Sequence, residues 1–331
     1  MTFPKVTILM ATYNGAVFFR EQINSIIGQT YTNWELLIRD DNSTDGTMKL
    51  ILEAVKEDPR IKMVIDPSDV HSACANFSSL LSWAKANTNI EYVMFCDQDD
   101  IWLASKIECS LKKLQETEVL NVGKPCLVYG HLNMMSEDGA PLSEVITMSS
   151  PPLFNNIIVQ NPMFGCTMMF NAALSNLIQN IPLTAENHDY WIALVAVSFG
   201  CYAIINEDII LYRQHTNNVT SQGTGFMKRF HRYYDNTKQI KELKTKLVML
   251  GDFYDQYYEK LEQGNKTILE QFLKAFKAPT PLLLLRIIYK HKIYKITKLQ
   301  TIAMLSVMIN NYFAVRKVIV NHNFLYKNIT L

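Results

Sequence analysis

Within its first hundred residues the chain alternates short apolar runs with segments of helical spacing. KVTILMA (5–11), WELLIR (34–39), IKMVI (61–65) and EYVMFC (91–96) are mainly apolar and of strand length. Between them, VFFREQINSIIGQ (17–29), STDGTMKLILEAVKED (43–58) and CANFSSLLSWAKA (74–86) repeat apolar residues at helical intervals, the second with Ser43 or Thr44 as a candidate cap. Consecutive parallel strands need a crossover of about a dozen residues, which a helix supplies. This alternation predicts an α/β fold with a parallel, doubly wound sheet. Such sheets take their ligands outside the carboxyl ends of the strands.

Those ends carry the chain's most polar short motifs. TYNG (12–15) follows the first run, RDDNSTDGT (39–47) the second, and DQDD (97–100) the fourth. Three carboxylates in four residues repel one another unless a counter-charge or solvent relieves them. No Gly-x-Gly-x-x-Gly follows the first run and no Walker loop occurs anywhere, so the usual phosphate cradles are missing. A divalent cation held by carboxylates, Mg²⁺ or Mn²⁺, would neutralise both the acids and a bound phosphate. Each motif alone also reads as turn chemistry, Asp40 and Asp41 included. Their placement at successive strand ends favours a site.

The six cysteines are scattered without a Cys-x-x-Cys pair and read as free thiols of a cytosolic protein. VTILMA (6–11) is too short for the apolar core of a leader, and no run is long enough to predict a membrane span. The net charge of +1 conceals two halves of opposite sign. Residues 1–220 hold 13 Lys+Arg against 24 Asp+Glu, and residues 221–331 hold 19 against 7. Ten Lys+Arg and no acid follow Glu270. Two regions are expected: an α/β domain over 1–220 and a basic, mostly helical region over 221–331. The basic and apolar mixture of that tail suits either a helix on an anionic membrane surface or a helical appendage packed on the first domain.

VTILMATYNG, INSIIGQTYTNWELLIRDDNSTDGT and FCDQDDIWLASKIE together resemble glycosyltransferase family 2, whose nucleotide-sugar fold is called glycosyltransferase-A. The resemblance spans residues 5 to about 220. HDYWIALVA (188–196) and LYRQHTNNV (211–219) look like bacterial rhamnosyltransferases of cell-wall and capsular polysaccharides. The resemblance implies that Thr12 and Tyr13 line the nucleobase pocket, that Asp40 and Asp41 contact base or ribose, and that Asn14 and Asn76 belong to the nucleotide-sugar site. It implies Asp97 and Asp99 as the Asp-x-Asp signature, Asp99 on the metal and Asp97 on ribose or metal. His215 would face the metal or diphosphate, and Asp189 would be the general base. DVHSACANF (69–77) departs from the family in lacking a glycine before Asn76, and the Gln-x-x-Arg-Trp of processive members is absent. One sugar, or a few, is therefore the expected product.

The residue chemistry agrees. Transfer needs a counter-charge on the departing diphosphate and a base for the acceptor hydroxyl. Asp189 follows Asn187-His188 at the start of an apolar helix, where it is either that base or a cap. His188 is a weaker candidate than His215. Gly165 would let backbone approach the donor phosphates, and Trp102 and Trp191 would stack on sugars or simply pack. One base without a second carboxylate pair implies inversion. The expected activity is transfer of L-rhamnose from dTDP-rhamnose to a lipid-linked saccharide at the inner face of the cell membrane, without a nucleic-acid partner. Rival readings are a UDP-glucose or UDP-galactose transferase and an inactive nucleotide- or carbohydrate-binding module. A phosphatase using Asp-x-Asp fits poorly, because its nucleophile would follow the first strand, where TYNG stands.

Overall fold

The computed structural model describes residues 3–66, 71–147, 150–215 and 236–321. In chain order the elements are β1 (Val6–Thr12), α1 (Ala16–Ile27), β2 (Trp34–Asp40), α2 (Thr47–Glu57), β3 (Ile61–Met63), α3 (Ala73–Asn87), β4 (Tyr92–Cys96) and β5 (Ile101–Trp102). There follow α4 (Lys106–Val119), β6 (Cys126–Tyr129), β7 (Leu132–Met135), β8 (Pro141–Ile146), α5 (Phe154–Ile157), β9 (Met169–Asn171), α6 (Ala172–Leu177), α7 (His188–Phe199), β10 (Cys201–Ile204) and β11 (Ile210–Arg213). Five C-terminal helices complete the described chain: α8 (Asn236–Tyr257), α9 (Gln263–Ala275), α10 (Leu282–Lys290), α11 (Lys298–Asn310) and α12 (Tyr312–Asn321).

A seven-stranded sheet runs β10-β6-β9-β4-β1-β2-β3, and a second sheet runs β5-β11-β7-β8. β1 pairs in parallel with β2 and β4, and β2 with β3. The doubly wound half expected from the alternation is therefore present. β9 departs from it by running antiparallel to β4 and β6. Side chains alternate between the two faces of a strand, and β1 shows the result. Val6, Ile8 and Met10 join a core with α1, α2 and α4. Leu9 joins the opposite core with α3, α6, α7 and the C-terminal helices. That second cluster is continuous from Leu9 and Phe95 through Trp191 to Phe253, Tyr257 and Tyr312. The C-terminal helices are thus packed on the sheet layer, as one of the two readings of the tail anticipated. The boundary expected near residue 220 lies outside the described residues.

The expected cap of α2 needs correction. Gly46 occupies that position at φ 100°, where a residue with a side chain would be strained. Ser43 and Thr44 are turned instead toward the loop after β1.

Candidate active site

The sheet register aligns the polar loops: Thr12 pairs with Asp40, and Met10 pairs with Cys96. Backbone N–H groups of the β1 loop are then satisfied by side chains of the β2 loop. Asn14 N donates to Ser43 Oγ at 2.8 Å, Gly15 N to Thr47 Oγ1 at 2.9 Å and Ala16 N to Asp45 Oδ2 at 3.0 Å. Asn14 sits at φ 48° and accepts from Thr44 N through Oδ1 at 2.8 Å. Asp40 accepts from Ser43 N (2.8 Å), Ser43 Oγ (2.6 Å) and Thr12 Oγ1 (2.7 Å). Asp41 is buried, 2.9 Å from His71 Nδ1 and 3.6 Å from Arg39 Nη1. Asn76 Nδ2 donates to Arg39 O at 3.1 Å, joining α3 to the end of β2, while its Oδ1 has no partner. Tyr13 stands 59% exposed at the lip, available for stacking.

The acid cluster after β4 is held by residues that the sequence reading passed over. Gln98 grips the Tyr13 backbone twice: its Oε1 accepts from Tyr13 N and its Nε2 donates to Tyr13 O, each at 2.9 Å. A Cβ on Gly15 would meet Gln98 Oε1 at 2.2 Å, so the glycine of TYNG is required by this clasp. Arg213 is fully buried and spans the loop. Its backbone N donates to Asp100 Oδ1 at 3.1 Å, Nε to Asp99 O at 2.8 Å, and Nη2 to Glu21. Lys106, also buried, lies over the Trp102 ring at 4.0 Å and donates to Cys166 O at 2.5 Å. Its positive charge acts on Asp97 and Asp100. The Lys106 charge and the Arg213 backbone N–H therefore relieve the crowded carboxylates. Burial, followed by the charges of neighbouring acids, nevertheless raises the pKa of both Asp97 and Asp100.

Among the described residues, two positions could hold a cation. Ligand atoms of Asp97, Asp100 and Cys166 lie within 4.8 Å of one another. Asp100 and Cys166 are sealed inside, and burial drives the Cys166 thiol pKa upward, which suits a hard divalent ion badly. One oxygen of Asp100, Oδ2, is unpartnered there. The other position is marked by Asp99 and His215, whose Oδ2 and Nε2 are 2.8 Å apart. Both keep partial access to the crevice, and Phe18 flanks the imidazole with ring centroids 5.0 Å apart. A carboxylate and an imidazole converging on one point fit a divalent ion, and the imidazole suits Mn²⁺ better than Mg²⁺.

Asp189 is the second residue of α7, whose N-cap is Asn187. Its Oδ2 accepts from Gly165 N at 3.0 Å, and its Oδ1 is buried without a partner. Burial pushes its carboxyl up to about 6, against the opposing pull of the Gly165 N–H. Gly165 is a glycine because α7 comes close: a Cβ would lie 2.8 Å from His188 Nε2 and 3.2 Å from Asp189 Cβ. The contacts of Gly165 are thus with the helix bearing Asp189. His188 stacks on Phe77 at 4.0 Å, and burial lowers its pKa to about 3, so it is a neutral packing residue. The two tryptophans also pack. Trp191 is buried against Phe253 and Tyr257, and Trp102 beneath Lys106.

The family model described as glycosyl transferase family 2 matches residues 7–176. The chain belongs to glycosyl transferase family 2. This family-2 chain is 28% identical over 221 residues to the putative teichuronic acid biosynthesis glycosyltransferase TuaG of Bacillus subtilis, covering 66% of this chain and 82% of TuaG. It is 26% identical over 255 residues to the Escherichia coli UDP-Glc:alpha-D-GlcNAc-diphosphoundecaprenol beta-1,3-glucosyltransferase WfgD, covering 76% and 87%. It is 26% identical over 237 residues to the dTDP-rhamnosyl transferase RfbG of Shigella flexneri, covering 67% and 77%. The crystal structure of S. aureus TarS 1–349 in complex with UDP-GlcNAc matches 99% of this chain and 94% of that one, with a TM-score of 0.57 and 14% identity. That likeness shows the glycosyltransferase-A fold.

Proposed function

We propose that this glycosyltransferase transfers one sugar, with inversion, from a pyrimidine nucleoside diphosphate sugar to a hydroxyl of a lipid-linked polysaccharide precursor. Two observations support the reading: the Asp99–His215 couple, and the bare Oδ1 of Asp189, a carboxylate close enough to the acid cluster for its charge to act on Asp97. Asp99 and His215 would ligate Mn²⁺ or Mg²⁺, with Asp97 toward the ribose. A cation bound there supplies Lewis-acid stabilisation of charge on the diphosphate. Tyr13 stacks on the base, with Thr12, Asn14, Asp40, Asp41 and Asn76 shaping its pocket. Asp189 accepts the proton of the acceptor hydroxyl as the hydroxyl oxygen bonds to the anomeric carbon. The bond from that carbon to the diphosphate oxygen breaks, and the nucleoside diphosphate leaves. The Gly165 N–H fixes one Asp189 oxygen, leaving the other to take the proton.

The first reading of the donor is dTDP-rhamnose, supported by the resemblance to rhamnosyltransferases such as RfbG. The second is a UDP-hexose, favoured by the WfgD relationship. Nucleoside diphosphate release from dTDP-rhamnose, UDP-glucose and UDP-galactose, each with Mn²⁺, separates them. Release from none would count against the transferase reading and for a binding module.

Lipid-linked acceptors place the enzyme at a membrane, and the C-terminal helices suit its surface. No helix among the described residues is long and apolar enough to cross a membrane. Leu282, Tyr289, Leu299, Ile302 and Phe313 are nevertheless exposed, in a stretch whose charges after Glu270 are all basic. Exposed apolar residues interleaved with cations fit the interface of an anionic leaflet, where each basic residue contributes about 1 kcal/mol. The expected location is the cytoplasmic face of the cell membrane.

A further inference from the structure

A cavity of about 530 Å³ opens between α8 and the loop that leads into α7. Its size is within the range of about 300–1,000 Å³ typical of small-molecule sites. Leu183 and Ala185 form the loop wall. The opposite wall is a single stripe of α8: Thr237, Ile240, Lys241, Lys244, Thr245 and Val248. Those positions recur at three- and four-residue intervals, so they share one helix face. The lining is mainly apolar, yet it carries two ammonium groups. Among the described residues, neither Lys241 nor Lys244 has an ion-pair partner, whereas the next lysine, Lys246, is 3.1 Å from Glu186. That ion pair and the Thr184 Oγ1 hydrogen bond to Asp252 fasten the loop to α8, so the cavity is preformed.

The same loop continues into the base. Ala185 precedes Asp189 by four residues, a span of at most about 14 Å of extended chain. We propose that this cavity binds the diphosphate and first isoprenyl segment of a lipid-linked acceptor, an inference that rests on the transferase reading above. Lys241 and Lys244 take the diphosphate through charge-assisted hydrogen bonds. Leu183, Ile240 and Val248 cover the apolar chain. A short saccharide attached to that diphosphate then reaches Asp189. Neither an apolar wall alone nor a basic stripe alone selects such a molecule. A free saccharide would use neither feature.

Calorimetric binding of farnesyl diphosphate, inorganic pyrophosphate and farnesol to the full chain tests this. Farnesyl diphosphate is expected to bind most tightly. Its affinity is expected to fall about tenfold or more in Lys241→Glu/Lys244→Glu, the size of losing charge-assisted contacts, and by less in Lys241→Ala/Lys244→Ala. Lys49→Glu/Lys56→Glu on α2, whose apolar face packs in the other core, carries the same charge change and is expected to bind as wild type does. Undiminished binding by Lys241→Glu/Lys244→Glu, an equal loss in the α2 variant, no binding by wild type, or pyrophosphate matching farnesyl diphosphate would each overturn the proposal. Binding of dTDP and of UDP with Mn²⁺, measured on the same preparations, reports the donor site separately. Failure of both sinks the transferase reading, whereas normal binding of either without farnesyl diphosphate binding sinks only the cavity assignment.

Discussion

His215 Nε2 and Asp99 Oδ2 meet at 2.8 Å across 116 residues of sequence, joining the loop after β4 to the residues after β11. Arg213 reinforces the junction from two residues away, by its Nε bond to Asp99 O. If this couple is the cation site, Asp99→Ala should abolish Mn²⁺-dependent binding of UDP or dTDP. Calorimetric titration of both ligands checks it, and a variant that binds them as wild type does would remove Asp99 from the metal site.

Asp189→Asn should leave donor KM nearly unchanged and lower kcat by about 10² or more, the loss expected with a general base. The amide can still accept from Gly165 N, so the local fold should hold. A normal kcat would reduce Asp189 to a helix-terminal residue.

The pH profile carries the same assignment. Asp189 works as a base only when ionised, and burial has raised its pKa to about 6. Activity should therefore be full above that value and fall as pH drops through it, approaching about tenfold per unit. A flat kcat/KM between pH 7 and 5 would contradict the role.

Gly165→Ala would drive a methyl group against His188 Nε2 and Asp189 Cβ. The His188 ring is stacked on Phe77 and edge-on to Phe95, so it has little room to yield. Displacement of the base by a fraction of an ångström should cost about tenfold or more in kcat, since about 1 Å can cost 10². Steady-state kinetics with near-native thermal stability would show the effect to be positional. Unchanged kcat would show that the contact is slack.

Leu299, Ile302 and Phe313 are exposed, so Leu299→Glu/Ile302→Glu/Phe313→Glu should fold normally while losing affinity for anionic vesicles. Co-sedimentation at low and high salt measures this. Equal binding by wild type and variant would exclude this face as the membrane contact.

The polar strand ends were legible in sequence because apolar runs stop abruptly at TYNG, RDD and DQDD. What was illegible depends on contacts remote in sequence. Nothing in the sequence singles out Gln98, and only the folded β1 loop reveals it as the clasp on Tyr13, 85 residues away. Nothing in the sequence marks Lys106 or Arg213 as buried partners of this loop, Lys106 by its charge and Arg213 by its backbone N–H to Asp100. β9 is too short, at three residues, to announce its antiparallel direction. Ser43 and Thr44 have the chemistry of helix caps, but their hydrogen bonds go to the neighbouring loop.

The most direct test of metal-assisted transfer is nucleoside diphosphate release from the accepted donor, measured for wild type with Mn²⁺, for wild type with excess chelator, and for Asp99→Ala with Mn²⁺. Release by the first and near-background rates in the other two are expected. Release that persists under chelation and in Asp99→Ala would contradict the Asp99–His215 site and the mechanism built on it.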